Sequence, residues 1–115
     1  VTQLKSRKST DAASYQESKR TAVMTLARQM RAAVGATWCI AESGACGPTF
    51  PFPGIEAGFT AIYVSGPVER AVWVKSAHAD RENNMWGFTK AALDLLAACL
   101  QEASTKPPVE DGIAP

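Results

Sequence analysis

The chain has 115 residues, 46% of them apolar and 20% charged, which suits a single globular domain with a modest core. Twelve Lys and Arg against eleven Asp and Glu leave a net charge of +1, which argues against nucleic acid or a membrane as a partner. No apolar run approaches bilayer length, the N-terminus lacks a signal-peptide core, and Cys39, Cys46 and Cys99 are odd in number without metal-ligand spacing. A cytoplasmic protein with reduced thiols, no metal and no cofactor is expected.

Residues 1–10 carry Lys5, Arg7 and Lys8 among polar neighbours and read as a solvated arm ahead of a domain over residues 11–103. Ser14 and Glu17 have capping-box spacing, and Asp11 could start the same helix a turn earlier. Val23, Leu26, Ala27, Met30, Ala33 and Val34 then recur every three or four residues, which gathers them on one helical face. Lys19, Arg20, Arg28 and Arg31 fall mostly elsewhere, as a solvated face, and Gly35 fits the position that stops the helix.

Thr37 to Glu42 predicts the first strand, which runs into a loop, Ser43 to Pro48, with two glycines and a closing proline. Glycine lets the backbone approach a ligand closely and point its N–H groups at an anion or a carbonyl oxygen. Thr49 to Gly58, with two prolines, two glycines and Phe50 and Phe52, predicts a long irregular excursion, a type of loop that often serves as a lid or interface. Gly58–Ser65 and Arg70–Ser76, joined by Gly66-Pro67, predict an antiparallel hairpin. Asp80 is placed to cap a second helix whose stripe of Met85, Phe88, Ala92, Leu96 and Cys99, widened by Trp86, Leu93 and Leu100, is expected to pack heavily on the sheet. Residues 104–115, with three prolines, read as a loose tail.

The order helix, strand, long loop, hairpin, helix predicts an α/β fold, with helices layered on a small mixed sheet. Three strands under two long helices make an incomplete domain whose sheet edge must be paired or covered, so a homo-oligomer or a companion segment is expected.

Ser43 could act as a nucleophile, as a hydrogen-bond donor to a carboxamide or phosphate, or as a cap on its own turn. Glu42, a carboxylate at the end of a buried strand, needs a partner or a function there, and could orient an amide or accept backbone N–H bonds. Cys46 and the single His78 could form a thiol and its base, but nothing in the sequence brings them together. Arg81, Glu82, Asn83 and Asn84 open the last helix, where free N–H groups favour an anion; the plainer reading is a well-capped helix with solvated charges.

The ordered runs Leu26-Ala27-Arg28 through Gly35-Ala36-Thr37, Ala41 to Pro48, Gly58 to Val64, Asp80-Arg81-Glu82-Asn83 and Ala91 to Leu96 together resemble the second half of the CinA C-terminal domain family. The similarity spans about residues 15 to 102. In that family the loop reads Thr-Gly-Ile-Ala-Gly-Pro, and Ser43-Gly44-Ala45-Cys46-Gly47-Pro48 stands in its place. The family's earlier Glu-Ser-Cys-Thr-Gly-Gly motif, which carries its proposed catalytic serine, has no counterpart in this chain. Glu42-Ser43-Gly44-Ala45-Cys46-Gly47 looks like that motif only superficially, because the family's catalytic loop leads straight into a helix and here a proline-rich stretch and a hairpin follow.

The resemblance implies the C-terminal part of a three-layer α/β/α domain. It further implies nicotinamide mononucleotide amidase activity, yielding nicotinate mononucleotide and ammonia, with the nucleophile in a segment missing from this chain. Ser43 with the N–H groups of Gly44, Ala45 and Gly47 is then expected to receive the ligand's amide or phosphate beside Glu42, with Arg81 and Asn84 on the phosphate. The alternative is a non-catalytic ligand-binding or assembly module that keeps the fold.

Overall fold

A computed structural model describes residues 12–105. Helix α1 spans Ala12–Val34, strands β1, β2 and β3 span Cys39–Ala45, Phe59–Ser65 and Arg70–Lys75, and helix α2 spans Arg81–Thr105. The sheet order is β1-β2-β3. The three-layer α/β/α arrangement is as expected, and both pairings are antiparallel, so the parallel pairing of a mixed sheet is not found among the described residues.

Strand β2 is buried along its whole length, because α1 covers one face, α2 the other, and a strand lies on each side. Val23 and Ala27 of α1 pack on Ala41, Ala61 and Tyr63, while Cys99, Leu95 and Leu96 of α2 pack with Val64, Val68, Trp38 and Ile40. Successive strand residues point to opposite faces, so odd-numbered positions of β1 look toward α1 and even-numbered ones toward α2.

Several boundaries move. Helix α1 is already formed at Ala12, so Ser14 lies within it and is not its cap; Asp11 and the arm lie outside the described residues. Its end is as expected: Gly35 has φ +67° and the Ala36 N–H donates to the Arg31 carbonyl at 3.1 Å, the six-to-one bond of a Schellman stop. Asp80 caps α2, accepting from the Asn83 N–H at 3.2 Å. Helix α2 continues through Ser104 and Thr105, two residues into the predicted tail, whose remainder lies outside the described residues.

Strand β1 runs to Ala45, so Ser43, Gly44 and Ala45 are strand residues and only Cys46 onward is loop. The reason is pairing: Ser43, Gly44 and Ala45 lie opposite Ala61, Thr60 and Phe59. Gly44 fits because it has no side chain; a Cβ there would sit 2.2 Å from the Phe59 carbonyl oxygen.

The long loop is anchored by aromatics. Phe50 meets Tyr15 and Phe59 edge-on at 5.5 and 5.2 Å between ring centroids, and Phe52 meets Tyr15 at 5.5 Å. Its ends close through the Gly58 N–H, which donates to the Ala45 carbonyl at 2.7 Å.

The expected apolar stripes are only partly buried. Val23 and Ala27 are buried, but Leu26, Met30 and Val34 are 52%, 49% and 65% exposed. On α2, Phe88 and Cys99 are buried while Met85, Trp86, Leu93 and Leu100 stand in solvent, Trp86 at 71%. The apolar sector of each helix is wider than the contact it makes with three strands.

Candidate functional site

The residues singled out in the sequence fall into two groups, because Glu42 and Ser43 are neighbours on a strand and face opposite ways. Ser43 looks toward α1, where Lys19 Nζ donates to its Oγ at 3.2 Å. Lys19 reads in the sequence as a solvated helix charge, 24 residues from Ser43, and no local signal joins them. Glu42 looks toward α2 and accepts a hydrogen bond from the hydroxyl of Thr60, which is buried in the central strand.

The second group gathers where β1 ends and α2 begins. Asn84 is 1% exposed and its Nδ2 donates to the Cys46 carbonyl at 2.8 Å and to the His78 carbonyl at 3.1 Å. Arg81 Nη1 donates to the Gly47 carbonyl at 3.0 Å. Gly47 has φ +104°, and a Cβ there would lie 2.5 Å from the Ala79 carbonyl oxygen, so this loop and the lead into α2 can approach so closely only because residue 47 is glycine. The Gly47-Pro48 peptide is cis.

These contacts define what the group can do. Asn84 commits its amide donors to two carbonyls and therefore positions the loop. Arg81 commits one donor of five, which leaves most of its planar fork facing outward from an exposed side chain. The tip of α2 already carries a carboxylate, Asp80, which accepts from the Asn83 N–H and also from Asn83 Nδ2 at 2.9 Å. An anion at this corner therefore meets Arg81 more favourably than the capped N–H groups.

His78 and Cys46 are joined only through the shared Asn84 amide. The His78 ring accepts from the Asp80 N–H at its Nδ1, 3.1 Å away, and serves the helix start. Beside the loop, a cavity of about 510 Å³ is lined by Pro48, Phe50, Glu56, Lys75, Ser76 and His78 among others.

A separate cluster, not anticipated from the sequence, ties α1 to the β2–β3 turn. Glu69 accepts from the Tyr63 hydroxyl, from Arg28 Nε at 2.8 Å and from Ser65 Oγ at 3.1 Å. The hydrogen bond from Tyr63, followed by those from Arg28 and Ser65, holds the Glu69 carboxyl below its ordinary value, although burial opposes this. Burial, with the bond to Glu69, pushes the Tyr63 hydroxyl up. Among the described residues no group of His, Cys, Asp and Glu is arranged to hold a metal ion, and no helix is long and apolar enough to cross a membrane.

Residues 4–100 match the CinA C-terminal domain as a family. The chain belongs to the CinA C-terminal domain family. Comparison with curated proteins and with solved structures yields no match. Within this CinA-family chain, the Ser43–Pro48 run therefore lies partly on the last residues of an edge strand and partly on a loop clamped to α2. The resemblance sets Arg81 and Asn84 with that run, and in the structure Arg81 meets the Gly47 carbonyl and Asn84 the Cys46 carbonyl.

Proposed function

We propose that this chain is the ligand-binding half of a cytoplasmic CinA-type amidase that converts nicotinamide mononucleotide and water to nicotinate mononucleotide and ammonia. The observation that carries this reading is the Ser43–Pro48 run in a chain of this family, with its loop fixed to the start of α2 by Arg81 and Asn84. The outward donors of Arg81 take the phosphate by charge-assisted bonds. Backbone N–H groups of the Gly44–Gly47 stretch receive the carboxamide oxygen, and Glu42 orients the carboxamide nitrogen.

The chemistry requires a hydroxyl oxygen to attack the carboxamide carbon, ammonia to leave with the C–N bond, and water to release the carboxylate and restore the hydroxyl. That hydroxyl is expected from a serine in a segment outside residues 1–115. Within the chain, Ser43 is the candidate nucleophile, with Lys19 as its neighbour.

Ammonia release from nicotinamide mononucleotide by the purified chain tests the assignment. No turnover by the chain alone is expected, with nucleotide binding that weakens about tenfold or more in Arg81→Ala, the scale of one lost charge-assisted contact. Turnover by residues 1–115 alone, abolished in Ser43→Ala, overturns the placing of the nucleophile outside these residues and moves it to Ser43. A second reading, a non-catalytic binding or assembly module, is favoured by the broad exposed apolar flanks of both helices. It is supported if nucleotide binds and no completed assembly turns it over.

A further inference from the structure

We propose that the cavity between the start of α1, the long loop and the place where β2 begins and β3 ends binds a small aromatic zwitterion, the chemistry of a free aromatic amino acid. None of Ser43–Pro48, Arg81 or Asn84 lines this cavity, and the proposal does not depend on the nucleotide reading of that run.

The walls are aromatic because of the register of the sheet. Phe59 lies opposite Lys75 and Ala61 opposite Trp73, so these side chains share the face that α1 covers, and the Trp73 ring reaches diagonally to Phe59. The two rings stack with centroids 5.0 Å apart and planes 11° from parallel. Tyr15 of α1 stands edge-on to Phe59 at 5.7 Å and forms a second wall. Phe50 and Phe52, each with its ring centroid 5.5 Å from that of Tyr15, tie the long loop to α1, and Glu56 of the same loop lines the cavity. Its volume, about 400 Å³, lies within the range of small-molecule sites, roughly 300–1,000 Å³. Phe59 is buried and Trp73 only half-buried, so the open end of the stack is the Trp73 side. A flat ring laid there adds one member to the stack.

The polar groups select the rest of the ligand. Gln16, Glu56 and Lys75 line the cavity, and among the described residues none of the three side chains has a hydrogen bond or ion pair. Glu56 and Lys75 are opposite charges on one cavity, yet they stand too far apart to pair with each other. A molecule that carries both charges bridges them, its ammonium to Glu56 and its carboxylate to Lys75, and the Gln16 amide can serve either group. A singly charged ligand gains from one of the two and is opposed by the other, which disfavours a phosphate-bearing nucleotide here.

The test is calorimetric titration of the full chain with L-phenylalanine and with three relatives that each lack one feature: phenylpropanoate lacks the ammonium, phenethylamine the carboxylate and L-alanine the ring. L-Phenylalanine is expected to bind one-to-one, the two singly charged compounds each about fivefold more weakly, the scale of one exposed ion pair, and L-alanine not measurably. Glu56→Gln should erase only the preference over phenylpropanoate, and Lys75→Gln only the preference over phenethylamine. Both residues are exposed, so these variants keep the fold. Trp73→Leu, checked by circular dichroism, should weaken every ring-bearing compound. No binding of L-phenylalanine by about 10 mM, equal binding of the singly charged compounds, or preferences that survive both charge variants would each overturn the proposal. Nicotinamide mononucleotide that displaces L-phenylalanine and loses its own affinity in Lys75→Gln would overturn the ligand class and make this a nucleotide site.

Discussion

Asn84 shows how a residue can be correctly placed by its sequence context and still act differently from the expectation. An asparagine at a helix start suggests phosphate contact, yet here the side chain is buried and both of its acceptors are backbone carbonyls, of Cys46 and His78. Asn84→Ala leaves two carbonyls without these donors and is expected to cost about 2 kcal/mol. For a chain of this size that lowers the thermal midpoint by roughly 10 °C, measurable by calorimetry. Asn84→Asp is expected to be at least as damaging, because an ionised carboxylate has no donor for either carbonyl. Ser43 and Glu42 differ from expectation in a related way. As adjacent letters they suggest one site, but alternation along a strand sends them to opposite faces, and this is visible only once β1 is seen to extend through Ala45. The glycine that suggests a loop, Gly44, is instead required by close approach to β2.

At the level of elements, the order of helices and strands, the hairpin, the α2 cap and the Schellman end of α1 were legible, because periodicity and terminal residues carry them locally. The choice between Asp11 and Ser14 as the start of α1, the reach of β1 and the end of α2 were not, since pairing and packing set them. Nor was the Arg28–Tyr63–Glu69–Ser65 cluster, whose members come from a helix, a strand and a turn. This cluster makes a pH prediction. The Glu69 carboxyl is lower in the folded chain than in the unfolded one, so its contribution is present above the ordinary carboxylate value of about 4 and is lost as pH falls through the lower folded value. Glu69→Gln should therefore be less stable than the parent near neutrality, and the gap should narrow below about pH 4. A gap that stays constant in acid unfolding curves would show that Glu69 acts through packing alone. Tyr63 acts in the opposite range. Its hydroxyl is raised, so the protonated form favours folding, and that contribution fades as pH rises above about 10.

For the molecule as a whole, the balance of the core is uneven: β2 is enclosed on every side while large apolar groups of both helices remain in water. Composition could not reveal this, because an apolar letter has the same count whether it faces a sheet or solvent. Among the described residues, three strands cover only part of the apolar width of the two helices. The three tryptophans differ accordingly. Trp73 stacks on Phe59 with ring centroids 5.0 Å apart, and Trp38 packs in the α2-side core, whereas Trp86 is 71% exposed. Light emission thus separates interior from rim. With Trp38 and Trp73 replaced by phenylalanine, the remaining indole should emit at a long wavelength and be readily quenched by iodide in the chain alone. A shift to shorter wavelength with loss of that quenching would report a contact made over this part of α2. The chain therefore carries a built-in optical reporter at the boundary of its own fold, which reads any contact made there without an attached label.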